Sequence, residues 1–245
     1  TTLVTREGIA GPGADAGSGQ PVISADGRFV AFRSNADNLT PDDDNAFSQV
    51  FVKDLATGTT TLVSRATGPG GAVADMGSSG RPAISADGRF VAFESFADNL
   101  STGDDDSVSN VYLRDVVAGS TTLVSAGSGS PSVAGNGNSS NSSVSAGGRY
   151  VAFASQAGNL SVFDDDSVAD VFVRDVQAVT TSLVSRAPGL GGAGGDAGSG
   201  DASISADGRR VAFISGADNL SAEDDDGVTN IFLRDLDAGT TVLVN

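Results

Sequence analysis

The sequence contains no cysteine and no histidine. Without cysteine there is no disulfide, no thiolate metal site and no cysteine nucleophile. Without histidine the chain lacks the Ser-His-Asp and Cys-His arrangements, histidine-ligated zinc or haem, and the usual general base near neutral pH. These two absences predict that the protein is not an enzyme.

Long apolar runs and positive charge are also scarce. No run approaches the roughly 18 residues of a membrane-spanning helix, so we expect no membrane insertion. The N-terminus has neither a signal-peptide pattern nor an initiator methionine, and we expect a processed or excised segment. The 14 basic residues face 31 acidic ones, and the net charge of -17 argues against a nucleic-acid partner or an anionic membrane.

One short motif recurs along the whole chain. SADGR begins at Ser24, Ser85 and Ser205, and its variant SAGGR begins at Ser145, which gives a period of 60 or 61 residues. Self-similarity at such a period indicates a solenoid, a propeller or an array. The chain is therefore read as four repeats, numbered 1 to 4 from the N-terminus.

Each repeat contains four short segments that alternate like β-strands. Segment a leads through Asp-Gly, or through Gly147-Gly148 in repeat 3, into segment b, such as RFVAF at residues 28–32. Asp-Gly between apolar runs predicts a hairpin with a type I′ turn. Segments c and d follow, such as VFVKDL at 50–55 and TTTLVSR at 59–65. No segment has helical periodicity, so each repeat is predicted to be an antiparallel meander, a-b-c-d.

Four-stranded sheets arranged radially form a β-propeller, an all-β fold that protects strand edges. We predict a single propeller, or propeller segment, over residues 1–245, with repeats at approximately 20–65, 81–125, 141–186 and 201–245. Residues 1–6 supply an extra d-type strand, although repeat 4 already has its own. Three arrangements stay open: a segment of a larger propeller, a four-bladed ring flanked by the spare strand, or pairing of that strand with a neighbouring molecule.

The repeat resembles a known family. SADGRFVAF, followed by VFVRD and a Gly-Thr turn, is similar to the PD40 repeat, the WD40-like blade of TolB-type propellers, whose pattern is S-P-D-G-x-x-I-A-F. The chain has alanine where TolB blades usually have proline, at Ala25, Ala86, Ala146 and Ala206. The resemblance covers nearly the whole chain and implies the propeller fold and protein-protein contact. It specifies no activity, because one fold hosts many functions.

The b-to-c connections are acidic and share the pattern D-x-[DN]-x-x-x-[DNQ]. Strand alternation places them on one face with the Gly/Ser-rich d-to-a connections, and binding residues often lie on such loops. Calcium takes about six to eight oxygen ligands, and the spacing resembles the calcium loops of dockerin-like and thrombospondin-like repeats. We predict calcium binding, weakest in the first loop, which carries least charge. The predicted ligands are Asp43, Asn45 and Gln49; Asp104, Asp106 and Asn110; Asp164, Asp166 and Asp170; and Asp224, Asp226 and Asn230.

Other interpretations of the polar residues are structural. The aspartates also fit a solvated acidic rim, since Asp, Asn and Ser cap turns. Basic residues that recur in every repeat predict interblade ion pairs and hydrogen bonds, because a catalytic residue normally appears once. They are Arg28, Arg89, Arg149 and Arg209 after the hairpin, and Lys53, Arg114, Arg174 and Arg234 on segment c. Asn38, Asn99, Asn159 and Asn219 begin glycosylation sequons, but their recurrence at one turn favours backbone capping.

These features predict a non-catalytic binding or assembly module that is secreted, periplasmic or at the cell surface. Its expected partner is a protein or a glycan. Two other classes remain: an enzyme-associated propeller, such as a hydrolase, a lyase or a peptidase gate, and a structural subunit that self-associates through its spare edge strand. No acidic residue stands out as unique to one repeat in the way that a single active site requires.

Overall fold

The computed structural model describes residues 1–43, 45–68, 70–104, 107–129, 133–164, 168–189, 191–224 and 227–244. The described residues form sixteen β-strands and one short 3₁₀ turn, Asp98–Leu100. The strands are β1 (Ser18–Ile23), β2 (Phe29–Ser34), β3 (Gln49–Asp54), β4 (Thr60–Leu62), β5 (Ser78–Ile84), β6 (Phe90–Ser95), β7 (Asn110–Asp115), β8 (Ser120–Leu123), β9 (Ser139–Val144), β10 (Tyr150–Ser155), β11 (Asp170–Asp175), β12 (Thr180–Leu183), β13 (Ser199–Ile204), β14 (Arg210–Ser215), β15 (Asn230–Asp235) and β16 (Thr240–Leu243). Within the described ranges, no helix has the length and apolar character needed to cross a bilayer.

The strands form four antiparallel sheets of four strands, paired in chain order. These sheets are called blades 1 to 4, and each follows the predicted meander, so the predicted all-β propeller architecture is confirmed. In blade 3, the register of β10 and β11 places Phe153 opposite Phe172, with ring centroids 5.7 Å apart. The same register stacks one aromatic pair in each of the other blades: Phe32 with Phe51, Phe93 with Tyr112, and Phe213 with Phe232.

Consecutive blades bury apolar faces against each other. Val50 and Val52 of blade 1 share a buried cluster with Val91 of blade 2. Corresponding clusters join blade 2 to blade 3 and blade 3 to blade 4. A fourth cluster covers the other side of blade 1, where Val4 from the N-terminal segment packs. Strands b and c are therefore apolar on both faces, which explains their almost continuous hydrophobic sequences.

The spare d-type segment at residues 1–5 is not paired in a sheet. Arg6 N–H donates to Val4 O at 3.0 Å, as Arg65 N–H does to Val63 O at 2.8 Å after β4. The segment therefore has the backbone path of a chain leaving a d strand. Among the described residues no c strand is open to this segment, because even the last c strand of the chain, β15, already pairs with its own d strand, β16.

The a-to-b hairpins form, but the predicted type I′ geometry is wrong. Gly27 has a φ of 74°, and Asp26 is not in the left-handed region. Gly27 N–H donates to Ser24 O at 3.0 Å, which is a type I turn followed by a left-handed glycine. The Asp26 carboxylate accepts from the Ser24 hydroxyl at 2.6 Å and from Arg28 N–H at 3.0 Å, and these two bonds favour the type I form.

Substitutions at two hairpin glycines, Gly27 and Gly88, allow the cost of backbone strain and the cost of a steric clash to be measured separately. Gly27 and Gly88 both have a φ of 74°. A Cβ at Gly27 meets no atom within 4 Å, whereas one at Gly88 collides with the Phe29 ring of the preceding blade. We expect Gly27→Ala to cost about 1–2 kcal/mol through left-handed strain alone. Gly88→Ala should cost about 1–3 kcal/mol more, because Phe29 must move. Urea denaturation of both variants measures the difference, and equal losses would refute this interblade contact.

The repeated basic residues on strand c join adjacent blades, as predicted. Arg174 is buried, and its Nη1 donates to Ala126 O at 3.1 Å and Gly127 O at 3.0 Å, both after the last strand of blade 2. It also donates to Thr181 Oγ1 at 2.8 Å. Arg114 and Arg234 make corresponding bonds to the chain leaving the d strand of the preceding blade, and Lys53 makes them to the chain after the spare segment at residues 1–5.

The arginines after the hairpins have a different role from the predicted interblade one. Arg149 Nη2 lies 2.7 Å from Asp175 Oδ2 within blade 3. Arg28 with Asp54 and Arg89 with Asp115 form the same pair in blades 1 and 2. These ion pairs connect strands b and c of one blade, because the arginine and the aspartate lie at the same end of the two paired strands.

Candidate functional site

The loops between strands b and c, at 35–48, 96–109, 156–169 and 216–229, lie at the same end of the blades as the d-to-a loops, as the strand order requires. We call this end the loop face. Asn159 connects the two kinds of loop: its Nδ2 donates to Ala134 O at 3.1 Å, and its Oδ1 accepts from Asn136 N–H at 3.0 Å. Asn38, Asn99 and Asn219 make equivalent pairs of bonds. The predicted backbone contacts of these asparagines thus hold the loop face together.

In blade 2, two of the predicted calcium ligands bond directly to each other. Asp104 Oδ1 accepts from Asn110 Nδ2 at 3.0 Å, and Asp104 Oδ2 accepts from the Tyr112 hydroxyl. Asn110 Oδ1 accepts from the Ser125 hydroxyl at 2.5 Å. Protein donors therefore engage both oxygens of the buried Asp104 carboxylate, which makes this loop poorly suited to a cation.

Blade 4 repeats this arrangement without the tyrosine. Asp224 Oδ1 accepts from Asn230 Nδ2 at 2.9 Å, and Phe232 occupies the position of Tyr112. Asp224 Oδ2 is buried, and no hydrogen-bond donor reaches it among the described residues. A buried carboxylate oxygen without a donor costs free energy, so this loop suits a cation better than the loop of blade 2.

In blade 1 the predicted ligands are mostly amides. Gln49 Nε2 donates to Asn45 Oδ1 at 3.1 Å and to Ala74 O at 3.0 Å. Gln49 Oε1 accepts from the Ser64 hydroxyl at 2.6 Å, and Asp43 is buried at the start of the same loop. Asn45 and Gln49 thus already bond to each other, and the predicted ligand set of this loop contains one carboxylate, Asp43.

Blade 3 places two carboxylates where the other loops have a carboxylate and an amide. Asp170 stands at the position of Asn110 and Asn230, and it lines a cavity of about 360 Å³ together with Asp164. Both aspartates are buried. Asp170 Oδ1 accepts from the Ser185 hydroxyl at 2.5 Å. Two buried carboxylates that line one cavity favour a proton or a cation between them, so this loop is the main candidate for a cation site.

The central ligands of three loops, Asp106, Asp166 and Asp226, lie outside the described residues. The structure therefore positions two of the three predicted ligands in blades 2, 3 and 4. Within the described ranges no group of three or more Asp or Glu residues could hold a metal ion. Calcium binding by these loops stays a prediction.

One buried acidic residue is unique to a single blade, contrary to the expectation from the sequence. Glu94 is 4% exposed, and its Oε1 accepts from Asn141 N–H of blade 3 at 2.7 Å. Its Oε2 accepts from the Ser79 hydroxyl at 3.4 Å, and burial raises the pKa of the Glu94 carboxyl. The signal that could have identified it is the residue after VAF, which differs in every repeat: Arg33, Glu94, Ala154 and Ile214.

Glu94 gives the fold a dependence on pH. The folded state binds this proton more tightly than the unfolded chain, so stability falls as pH rises from about 4.5, its ordinary pKa, through the raised value. Glu94→Gln removes the cost of burying the charge. We expect a higher Tm than the wild type at pH 7, by roughly 2–4 °C per kcal/mol recovered, and no difference below about pH 4.

Thermal melts between pH 4 and pH 8 measure this difference. Glu7→Gln is the matched control, because Glu7 is exposed, and it should leave the Tm unchanged at every pH. A gap between Glu94→Gln and the wild type that is the same at pH 4 and pH 8 would show that the Glu94 charge is not responsible.

A groove of about 780 Å³ on the loop face lies between the d-to-a loop after blade 2 and the b-to-c loop of blade 3. Phe163 is 46% exposed in its wall, with the Arg186 guanidinium 4.1 Å from the ring centroid. Val162 and Val133 are also exposed there, and Asp164 lines the same groove. Aromatic and arginine side chains are enriched at binding hot spots, which makes this groove the candidate ligand site.

No protein-family model and no curated protein matches the chain. Solved structures do match it. TolB from Acinetobacter baumannii is 13% identical, with a TM-score of 0.54 over 94% of this chain and 44% of that chain. A putative TolB from Agrobacterium tumefaciens is 16% identical, with a TM-score of 0.54 over 96% of this chain and 69% of that one. The tricorn protease is 10% identical, with a TM-score of 0.54 over 95% of this chain and 22% of that one.

At these identities the likeness establishes the fold alone. The chain has a propeller fold that resembles TolB-type proteins and part of a large protease. It spans less than half the length of the Acinetobacter protein and about a fifth of the tricorn protease. These similar structures include a protease as well as TolB proteins. Because one fold hosts many functions, the function has to be argued from the residues of the loop face.

Proposed function

We propose that the chain is a non-catalytic binding module whose loop face takes up calcium and docks a protein or glycan ligand. The observation that carries the proposal is the blade 3 loop, where the buried side chains of Asp164 and Asp170 line one cavity. Asp164 also lines the groove that contains Phe163 and Arg186. A cation between the carboxylates offsets their repulsion and fixes the loop that forms one wall of the groove.

Calcium is the proposed cation because every candidate ligand is a hard oxygen. Asp224 Oδ2 in blade 4 supports a second site, since it is buried and no described donor reaches it. Sites with few charged ligands bind calcium with Kd values of about 10⁻⁴–10⁻³ M, which are typical of extracellular modules. We therefore place the protein outside the cytoplasm, as a secreted, periplasmic or cell-surface module.

The proposed partner follows from the chemistry of the groove. Exposed Phe163, Val162 and Val133 offer apolar contact area, and a sugar ring or an aromatic side chain can stack against Phe163. The net charge of -17 disfavours polyanions. A non-catalytic role is proposed because the sequence has no histidine or cysteine to form a nucleophile-base pair. Glu94, a buried acidic residue that only blade 2 has at its position, is engaged in hydrogen bonds from Asn141 and Ser79.

Thermal melts of the wild type and Asp170→Asn test the calcium proposal. Calcium at ten times its Kd should stabilise the wild type by about 1.4 kcal/mol per site and raise the Tm by roughly 3–6 °C. Asp170→Asn recreates the carboxylate-amide pair of blades 2 and 4. It should therefore melt above the wild type in chelator and gain less from calcium.

Asp98→Asn is the control, because Asp98 is exposed and outside the proposed ligand sets. It should respond to calcium as the wild type does. A wild-type Tm that stays constant from chelator to 10 mM calcium, about ten times the weakest Kd considered, would overturn the calcium proposal.

A further inference from the structure

Blade 4 exposes apolar side chains at positions that the other blades bury. Val50, Val111 and Val171 are buried on strand c, whereas Ile231 at the same position is 44% exposed. Val63, Val124 and Val184 are buried after strand d, whereas Val244 is 59% exposed. In blades 1, 2 and 3 these valines belong to the clusters shared with the following blade. Blade 4 therefore presents a surface of the kind that receives a blade.

Blade 1 exposes the complementary surface. Ile84, Val144 and Ile204, at the end of each a strand, pack into the cluster shared with the preceding blade. Ile23 stands at the same position in blade 1 and is 57% exposed. The two ends of the blade series thus carry the two halves of an interface that the chain already forms three times.

A ladder of backbone hydrogen bonds runs through the hairpins in one direction. Ala25 N–H donates to Ala86 O at 3.1 Å, Ala86 to Ala146 O at 3.2 Å, and Ala146 to Ala206 O at 3.0 Å. Each blade donates to the one that follows it. The next bond of the ladder would run from Ala206 N–H to the alanine carbonyl of a further blade.

The N-terminal segment supplies blade 1 with part of that interface. Lys53 Nζ donates to Arg6 O at 2.9 Å and to Gly8 O at 2.7 Å, as Arg174 does to the chain leaving blade 2. Ala14 N–H donates to Thr5 O at 2.9 Å, as Ala74 N–H does to Ser64 O at 3.0 Å. The connection that normally comes from a preceding blade is therefore already in place.

We propose that blade 4 of one molecule packs against blade 1 of a second copy of this chain, as the next blade of the propeller. The contact is heterologous, since it joins two different surfaces, and it closes into a ring if two copies make it twice. Such a ring has twice the four blades of one chain, within the range of about four to eight blades that propellers use. This interface does not depend on the function proposed for the loop face, although Ile231 directly follows Asn230, a predicted calcium ligand of blade 4.

Blade 4 has one polar substitution at the proposed contact. Phe29 packs against the hairpin glycine of the following blade, and blade 4 has Arg210 at that position, where it pairs with Asp235 at 3.2 Å. In a second copy the hairpin facing Arg210 is the one that contains Asp26 and Gly27. The hairpins of blades 2 and 4 carry the same aspartate, so this contact is compatible with a second copy, and the apolar surfaces of blades 4 and 1 carry the proposal.

The first four residues of the second copy overlap with the end of the first. Residues 1–4 (TTLV) correspond to residues 241–244 (TVLV) of blade 4, so both segments cannot occupy one position against the second copy. We expect residues 1–4 to be displaced by β16 of the neighbour. Deletion of residues 1–4 should therefore preserve or strengthen the association. Loss of association on this deletion would overturn the proposed contact in favour of exchange of the spare strand.

Light scattering coupled to size-exclusion chromatography, in calcium and in chelator, tests the proposal on the wild-type chain. The expected result in both buffers is twice the mass of one chain. Ile23→Asp and Ile231→Asp should each be monomeric, and a mixture of the two should form a heterodimer through its one intact contact. Val117→Asp is the control, since Val117 is exposed on the c-to-d turn of blade 2, and it should remain dimeric.

A wild-type chain that stays monomeric over the whole concentration range would overturn the proposal. That result would also be expected if a fifth blade of a longer polypeptide covered blade 4. A dimer that survives Ile23→Asp would also overturn the proposal, because blade 4 would then pack against blade 4. Far-ultraviolet circular dichroism and the Tm of each variant confirm that the fold is retained before its mass is interpreted.

Discussion

Replacing Arg174 with methionine should destabilise the fold by about 2–5 kcal/mol, because the change removes the bonds from a buried guanidinium to two carbonyl oxygens and a hydroxyl. Arg174 is among the largest fully buried side chains, and its Nη1 bonds to Ala126 O, Gly127 O and Thr181 Oγ1. Methionine keeps most of the aliphatic volume, so the loss reports the hydrogen bonds between blades 2 and 3. Urea denaturation at pH 7 measures it.

Arg149→Met is the matched control for Arg174. Arg149 is about half exposed and forms an ion pair with Asp175 inside blade 3. A surface ion pair contributes about 0–1 kcal/mol, so this variant should remain near the wild type. Similar losses for the two variants would show that the buried arginine does not hold adjacent blades together.

Phe172→Ala should cost about 3–5 kcal/mol, because it empties the centre of blade 3. Phe172 is fully buried, and its ring stacks on Phe153 with centroids 5.7 Å apart. The surrounding strands are held by their ladder bonds, so the cavity can collapse only in part. Thermal and urea denaturation should both show the loss.

Phe163→Ala removes the same atoms from an exposed position on the loop face. It should cost no more than about 1 kcal/mol, most of it from the contact with the Arg186 guanidinium. If Phe172→Ala were as mild as Phe163→Ala, the aromatic pair would not be the centre of the blade. If Phe163→Ala were as severe as Phe172→Ala, Phe163 would be part of the core and not of a ligand groove.

Most of the fold follows from the sequence, because four copies of one pattern restrict the possible architectures. SADGR and the apolar runs after it predict four meanders, and the structure has four sheets with that strand order. The turn type was harder to predict, since Asp-Gly is compatible with more than one hairpin. The Asp26 carboxylate, which bonds to Ser24 and Arg28, favours the type I form.

Less of the candidate site could be predicted, because alignment of repeats emphasises what they share. Tyr112 and Asp170 depart from the other repeats by a few atoms, yet these differences change the polar surroundings of the first aspartate in each acidic loop. Glu94 was missed for the same reason. The exposure of Ile231 could not be predicted from the sequence either, since the corresponding apolar residues, Val50, Val111 and Val171, are buried where another blade follows.

The calcium content of the chain after equilibrium dialysis against about 1 mM calcium shows whether the loop face binds calcium through Asp164 and Asp170. We expect the wild type to retain calcium, Asp170→Asn to retain less, and Asp98→Asn to match the wild type. Wild-type protein with no more calcium than Asp170→Asn, measured by plasma mass spectrometry, would contradict this expectation.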